Sequence, residues 1–140
     1  MDASEFKRRT KVFAADVITL TETLPRGRAV DVIARQLIRS GSSAGANYRA
    51  ATRAQSTAHM ISKLATVEEE ADESIYWLEL LVETGFLKPD AAAPLQREAS
   101  QMVAMTVASK KTLRLRIRPA IKRQSQIVDR KSKPSTEPGS

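Results

Sequence analysis

Cysteine is absent from this chain. That excludes a disulfide framework, a thiol nucleophile and any Cys-ligated metal. Histidine occurs once, at His59, too few for the paired Glu-x-x-His motifs of a di-iron bundle. No apolar stretch approaches the roughly 18 residues that a membrane-spanning helix needs. The start, Met1 to Arg9, is too charged for a signal peptide, so a cytoplasmic location is the expectation. Aromatics make up only 4%, and there are 5 Gly and 6 Pro. So few turn-formers argue against a β-sandwich or barrel and for long helices.

What is present suits one soluble, ordered domain: 140 residues, 41% hydrophobic and 28% charged. The net charge of +7 is unevenly spread. Residues 1–109 carry 13 Lys+Arg against 14 Asp+Glu, whereas residues 110–140 carry 10 against 2. The basic run is Lys110, Lys111, Arg114, Arg116, Arg118, Lys122, Arg123, Arg130, Lys131 and Lys133. Such a run attracts polyanions, RNA or DNA, more readily than it serves as an inert solubilising tail. A membrane partner is not expected, because the segment has no Trp or Phe to anchor it. Residues 26–53 hold six Arg and one Asp, and residues 56–85 one Lys and seven acids. These opposite signs suggest surfaces that pair within a subunit or between subunits, the latter favouring a head-to-tail ring.

Four amphipathic segments are predicted. The first, about Ser4 to Thr23, carries Phe6, Thr10, Phe13, Val17, Leu20 and Leu24 at alternating spacings of four and three, and ends before Pro25. The second, about Ala29 to Arg53, carries Val30, Ile33, Leu37, Gly41, Ala44, Tyr48 and Ala51. Gly41 and Gly45 each cost about 1 kcal/mol in a helix. Close approach of another helix would justify them, and a break in the helix is the alternative. The third, residues 57–85 after the N-cap Ser56, carries Ile61, Leu64, Glu68, Ala71, Ile75, Leu78 and Val82. The fourth begins near Pro89-Asp90 with Leu95, Ala99, Met102, Thr106, Ser109 and Leu113 on its stripe. Residues 113–118 alternate Leu/Ile with Arg and read as helix or as extended chain, with Pro119 ending either. The expectation is an all-α, antiparallel up-down-up-down four-helix bundle over residues 1–118 and a basic, disordered tail over 119–140.

The run Gln36-Leu-Ile-Arg-Ser-Gly-Ser-Ser-Ala-Gly-Ala-Asn-Tyr-Arg-Ala-Ala-Thr-Arg53 closely resembles the signature of the 23S rRNA intervening-sequence proteins. Lys63-Leu64 and Glu69-Glu-Ala-Asp-Glu-Ser-Ile-Tyr-Trp-Leu-Glu-Leu-Leu81 extend the likeness over roughly residues 5–115. One departure is Ala50, where the family has Glu after Asn-Tyr-Arg. The resemblance implies four-helix subunits in a barrel-shaped homopentamer. One branch comprises accessory variability determinants of diversity-generating retroelements, which bind a reverse transcriptase and nucleic acid. Another is encoded within rRNA intervening sequences and has no settled biochemical role. The basic C-terminus favours the accessory branch: a non-enzymatic adaptor, partnered by itself, by a reverse transcriptase and by RNA or DNA.

The candidate nucleic-acid-binding residues are Arg39, Arg49 and Arg53, with Lys110, Lys111, Arg114, Arg116, Arg118, Lys122 and Arg123 of the tail. For Arg39, Arg49 and Arg53 the competing reading is pairing with the acids of residues 68–83. Gly41, Gly45, Asn47, Tyr48, Glu68 and Trp77 are assigned to helix or subunit packing. Tyr48 and Trp77 could otherwise stack on bases, and Glu68 is expected to bond to another helix, at Arg39 or Asn47. No triad, cofactor motif, metal set or small-molecule site stands out, so no cofactor is expected, and His59 has no evident catalytic partner. Gly41 and Gly45 lack the preceding strand that a phosphate loop requires.

Overall fold

The computed structural model describes the backbone of residues 2–132 and the side chains of residues 2–117. Among the described residues the chain is all-helical, with four helices and no strand: α1 (Ala3–Thr21), α2 (Arg28–Thr52), α3 (Thr57–Glu83) and α4 (Pro89–Ser132).

The boundaries follow local chemistry. Asp2 caps α1 by accepting the Glu5 N–H at 2.8 Å, and Ser56 caps α3 by accepting the His59 N–H at 3.1 Å. Gly85, at φ 79°, takes the left-handed turn that closes α3. There the Gly85 N–H reaches the Val82 carbonyl and the Phe86 N–H the Leu81 carbonyl, each at 3.0 Å, satisfying groups that a helix end leaves open. Pro89 opens α4 at a position where its missing N–H costs nothing.

Packing joins α1 to α2, α2 to α3 and α3 to α4, with a lighter contact between α1 and α4. The core takes Phe6, Thr10, Phe13 and Val17 from α1, and Val30, Ile33, Leu37, Gly41, Ala44, Tyr48 and Ala51 from α2. Those two stripes match the sequence periodicity. On α3 the buried line is Leu64, Val67, Ala71, Ser74, Leu78 and Leu81. The expected Ile61, Glu68, Ile75 and Val82 flank it, half-buried. The cause is that α3 packs against both α2 and α4, so its buried arc is wide and centred between two stripes. On α4, Ala92, Leu95, Ala99, Met102 and Thr106 are buried. The next buried position is Lys110 rather than Ser109, which is exposed.

Helix α2 runs unbroken through its glycines, as close packing requires. A Cβ added at Gly41 would lie 3.2 Å from Val17 Cγ2, and one at Gly45 3.3 Å from the Thr10 carbonyl oxygen. Buried hydroxyls are satisfied: Ser40 and Ser74 bond to each other at 2.9 Å, and Thr106 Oγ1 donates to the Met102 carbonyl at 3.0 Å.

Residues 113–118 are helical, not extended. The expected boundary at Pro119 is also not a helix end, since the α4 backbone continues to Ser132. Proline removes one hydrogen bond and crowds one carbonyl, a local cost of about 3 kcal/mol. The turns on either side keep their own bonds. Of the expected tail, residues 133–140 and the side chains of 118–132 lie outside what is described. With 44 residues against 27 in α3, α4 is about 25 Å longer at 1.5 Å per residue.

Candidate nucleic-acid interface

Among the described side chains, the cations singled out by the sequence divide into a set paired with acids of this chain and a set that faces solvent. Arg39, on the outer face of α2, reaches across to α3, where it pairs with Glu70 at 3.2 Å and with Glu73. Its Nε also donates to Gln36 Oε1 at 3.2 Å. The hydrogen bond from Arg39 is the main cause that holds the Glu73 carboxyl below its usual range, and the same bond raises the arginine. Part of the opposite-sign match between residues 26–53 and 56–85 is thus spent inside the chain.

Lys110 lies in the core, its ammonium bonded to Glu68. Glu68 therefore finds its partner on α4, not at Arg39 or Asn47 of α2. Half-buried beside Lys110, it sits where a long cation from α4 can reach it. Asn47 instead donates to the Ser43 carbonyl and Oγ, at 2.9 and 3.0 Å, within its own helix.

The other set faces solvent. Arg49 and Arg53 are exposed near the end of α2, and Lys111, Arg114 and Arg116 are exposed on α4. Arg118, Lys122 and Arg123 lie beyond the described side chains, on a backbone that is still helical. The structure places Arg49, Arg53 and Arg116 at one end of the molecule. There a cleft draws on all four helices, lined by Ala3, Tyr48, Thr52, Met60, Leu64 and Arg116 among others.

Neither candidate stacking aromatic is a free platform. Tyr48 is 9% exposed and meets Phe6 edge to face, with centroids 4.2 Å apart. Burial, with Asp2 nearby, pushes its phenol above the ordinary value. Half-buried Trp77 donates from Nε1 to Glu73 Oε1 at 3.1 Å and rests against Tyr76. Gly41 and Gly45 occupy the α1–α2 contact described above.

Sequence reasoning missed the Arg9 clamp. Arg9 grips Glu98 with Nε and Nη2, at 2.8 and 2.9 Å, and donates to Gln101 at 2.6 Å, joining α1 to α4. Its only signal was an arginine next to a seam position, which is common on any amphipathic helix. Among the described residues no helix is long and apolar enough to cross a membrane, and no group of three or more His, Asp or Glu is placed to hold a metal.

Comparison with known proteins narrows the identity. No curated protein matches the chain. A solved structure from Bacteroides thetaiotaomicron, described as a protein with unknown function from the S23 ribosomal protein family, is 32% identical. The match covers 79% of this chain and 99% of that one, with a TM-score of 0.74. The model of the 23S rRNA-intervening sequence proteins matches residues 3–108. With its four helices, its glycine-packed α2 and a match of that length, the chain belongs to the 23S rRNA-intervening sequence protein family.

Proposed function

We propose that this protein is a non-enzymatic, oligomeric RNA-associated protein that binds nucleic acid through the basic C-terminal half of α4. The observation that carries this reading is the reach of α4. Its backbone outlasts the other helices, and Lys111, Arg114 and Arg116 face solvent along it. A helix studded with cations releases counterions from a phosphate backbone as it binds, so attraction is strong and salt-sensitive. Few groups are set to read bases, so recognition rests on charge and shape. Deleting residues 119–140 should weaken binding to an RNA hairpin and flatten its salt dependence. Unchanged affinity and slope would overturn this assignment.

The four helices are read as an antiparallel up-down-up-down bundle. In support, Phe6 meets Tyr48 while the α2 position that faces Val17 is Gly41, so partners run in opposite directions along α1 and α2. The homopentamer rests on the resemblance, and two facts support a head-to-tail ring. Glu69, Asp72, Glu79 and Glu83 on α3 are exposed, as are Arg26, Arg28 and Arg35 of the basic segment. Sedimentation should give a mass near five times 15.4 kDa, and a monomer at all concentrations would refute the ring.

A second reading, the adaptor for a retroelement reverse transcriptase, ranks below the first. The family match and the solved relative both point to the intervening-sequence type and name no such enzyme. A tagged pull-down from the native host separates the two. A reverse transcriptase retained after nuclease treatment would promote the adaptor, and ribosomal material alone would remove it. A cytoplasmic location goes with either reading.

A further inference from the structure

We infer that the cleft between α1 and α2 seats a phosphodiester backbone and continues the α4 surface as one track over the same end of the molecule. This deepens the nucleic-acid reading above and rests on it. The cleft is walled by Lys7 and Lys11 from α1 and Arg49 from α2, over a floor that includes Ser42, Gly45 and Ala46. All three cations are exposed, and no acid lines the cleft among the described residues. Their charge is therefore available, unlike that of Arg39 and Lys110, which face acids of this chain.

The floor is low for a structural reason. Gly45 already approaches the Thr10 backbone, so the two helices lie close and only small side chains fit between their outer edges. A phosphate oxygen can come near the helix surface there while lysine and arginine close on it from both sides. Lys7 and Lys11 stand one turn apart on a common face, about 6 Å along the axis. No large apolar side chain lines the cleft, so it lacks the anchor pocket of a protein partner.

The track can be followed. Arg53, the residue that caps the end of α2, follows Arg49 by four positions, and Arg116 lines the neighbouring cleft beside Thr52 and Ala3. Lys111 and Arg114 line a further cleft on the α3 side of α4, beside the Glu68–Lys110 pair, so the track reaches them by crossing the end of the bundle at Arg116. The whole molecule is polarised the same way. Residues 2–11, 46–68 and 105–117, which meet at this end, hold eleven Lys+Arg against three acids. Residues 12–45 and 69–104 hold six against eleven. Such a field steers a polyanion to one end.

The test uses the full chain, a labelled RNA hairpin and DNA of the same sequence, with anisotropy read across salt concentrations. The variant K7A/K11A/R49A removes the cleft's charge. K88A/R97A removes exposed cations from the acidic end that have no part in the ring proposed above, and circular dichroism checks that both stay helical. The cleft variant should lower the salt slope by about two to three for three lost phosphate contacts, and weaken binding by about tenfold or more. The control should change affinity by less than about twofold, since it acts only through screened, distant charge. Equal losses in the two variants would overturn the track. So would an unchanged cleft variant beside a weakened 119–140 deletion, which leaves the nucleic-acid reading standing. Failure of the unaltered chain to bind either probe would overturn both, as would capture of polyglutamate in their place. A DNA preference would keep the track but refute RNA as the partner.

Discussion

Lys110 stands in a basic run yet is packed in the core. Its ammonium gains the Glu68 carboxylate in return for lost hydration, and its stem fills the stripe position that follows Thr106. Removing one partner leaves a buried charge unmatched, whereas replacing both with apolar groups of similar size does not. Glu68→Ala should therefore destabilise the fold by about 2 kcal/mol, toward the low end because Glu68 is half-buried. Adding Lys110→Met to Glu68→Leu should recover most of that loss. Urea unfolding of the set would measure it, and an E68A midpoint equal to the parent's would show that the pair contributes nothing. Arg39 is different: it is half exposed, so its bonds to Glu70 and Glu73 orient α3 against α2 more than they stabilise either.

At the scale of an element, α2 and α4 break the expected rules in opposite ways. Helix α2 accepts two glycines because α1 crosses exactly over them in close contact, and the lost helix propensity of about 1 kcal/mol each is offset by packing. Gly45→Leu should cost about 1–3 kcal/mol, since the nearest atom is the Thr10 carbonyl oxygen, which cannot rotate aside. Thermal unfolding would report it, and a melting temperature within error of the parent's would mean that the helices are not in contact there. Helix α4 accepts Pro119 because helix continues on both sides of it. The period-two alternation of residues 113–118 suggested an extended strand as one alternative, but a strand there would have no neighbour to bond with. The helix supplies its own hydrogen bonds, and the chain takes that course.

Across the whole molecule the pattern is one of segregated charge. The acidic stretch of α3 and the start of α4 lie toward one end, while the start of α1, the end of α2 and the middle of α4 bring cations to the other. Much of this architecture was legible in the sequence. Four periodic segments and the α1 and α2 stripes follow from residue spacing, because burial on one side of a helix leaves a period of about 3.6, and the Ser56 cap follows from its residue type. The family signature in residues 36–53 and 63–81 was equally local. Other features depend on which helix lies beside which. The α3 stripe is centred differently because two neighbours cover it. Glu68 meets Lys110, 42 positions away, and Arg9 meets Glu98, 89 positions away. Lys7 and Lys11 join Arg49 only because α1 and α2 are pressed together at Gly45. Spacing along a chain records which face of a helix is buried, so the sequence by itself determined the elements and their inner sides. It carries no record of the partner across the core, and only the tertiary structure decided which charges are cancelled there and which remain to meet a ligand.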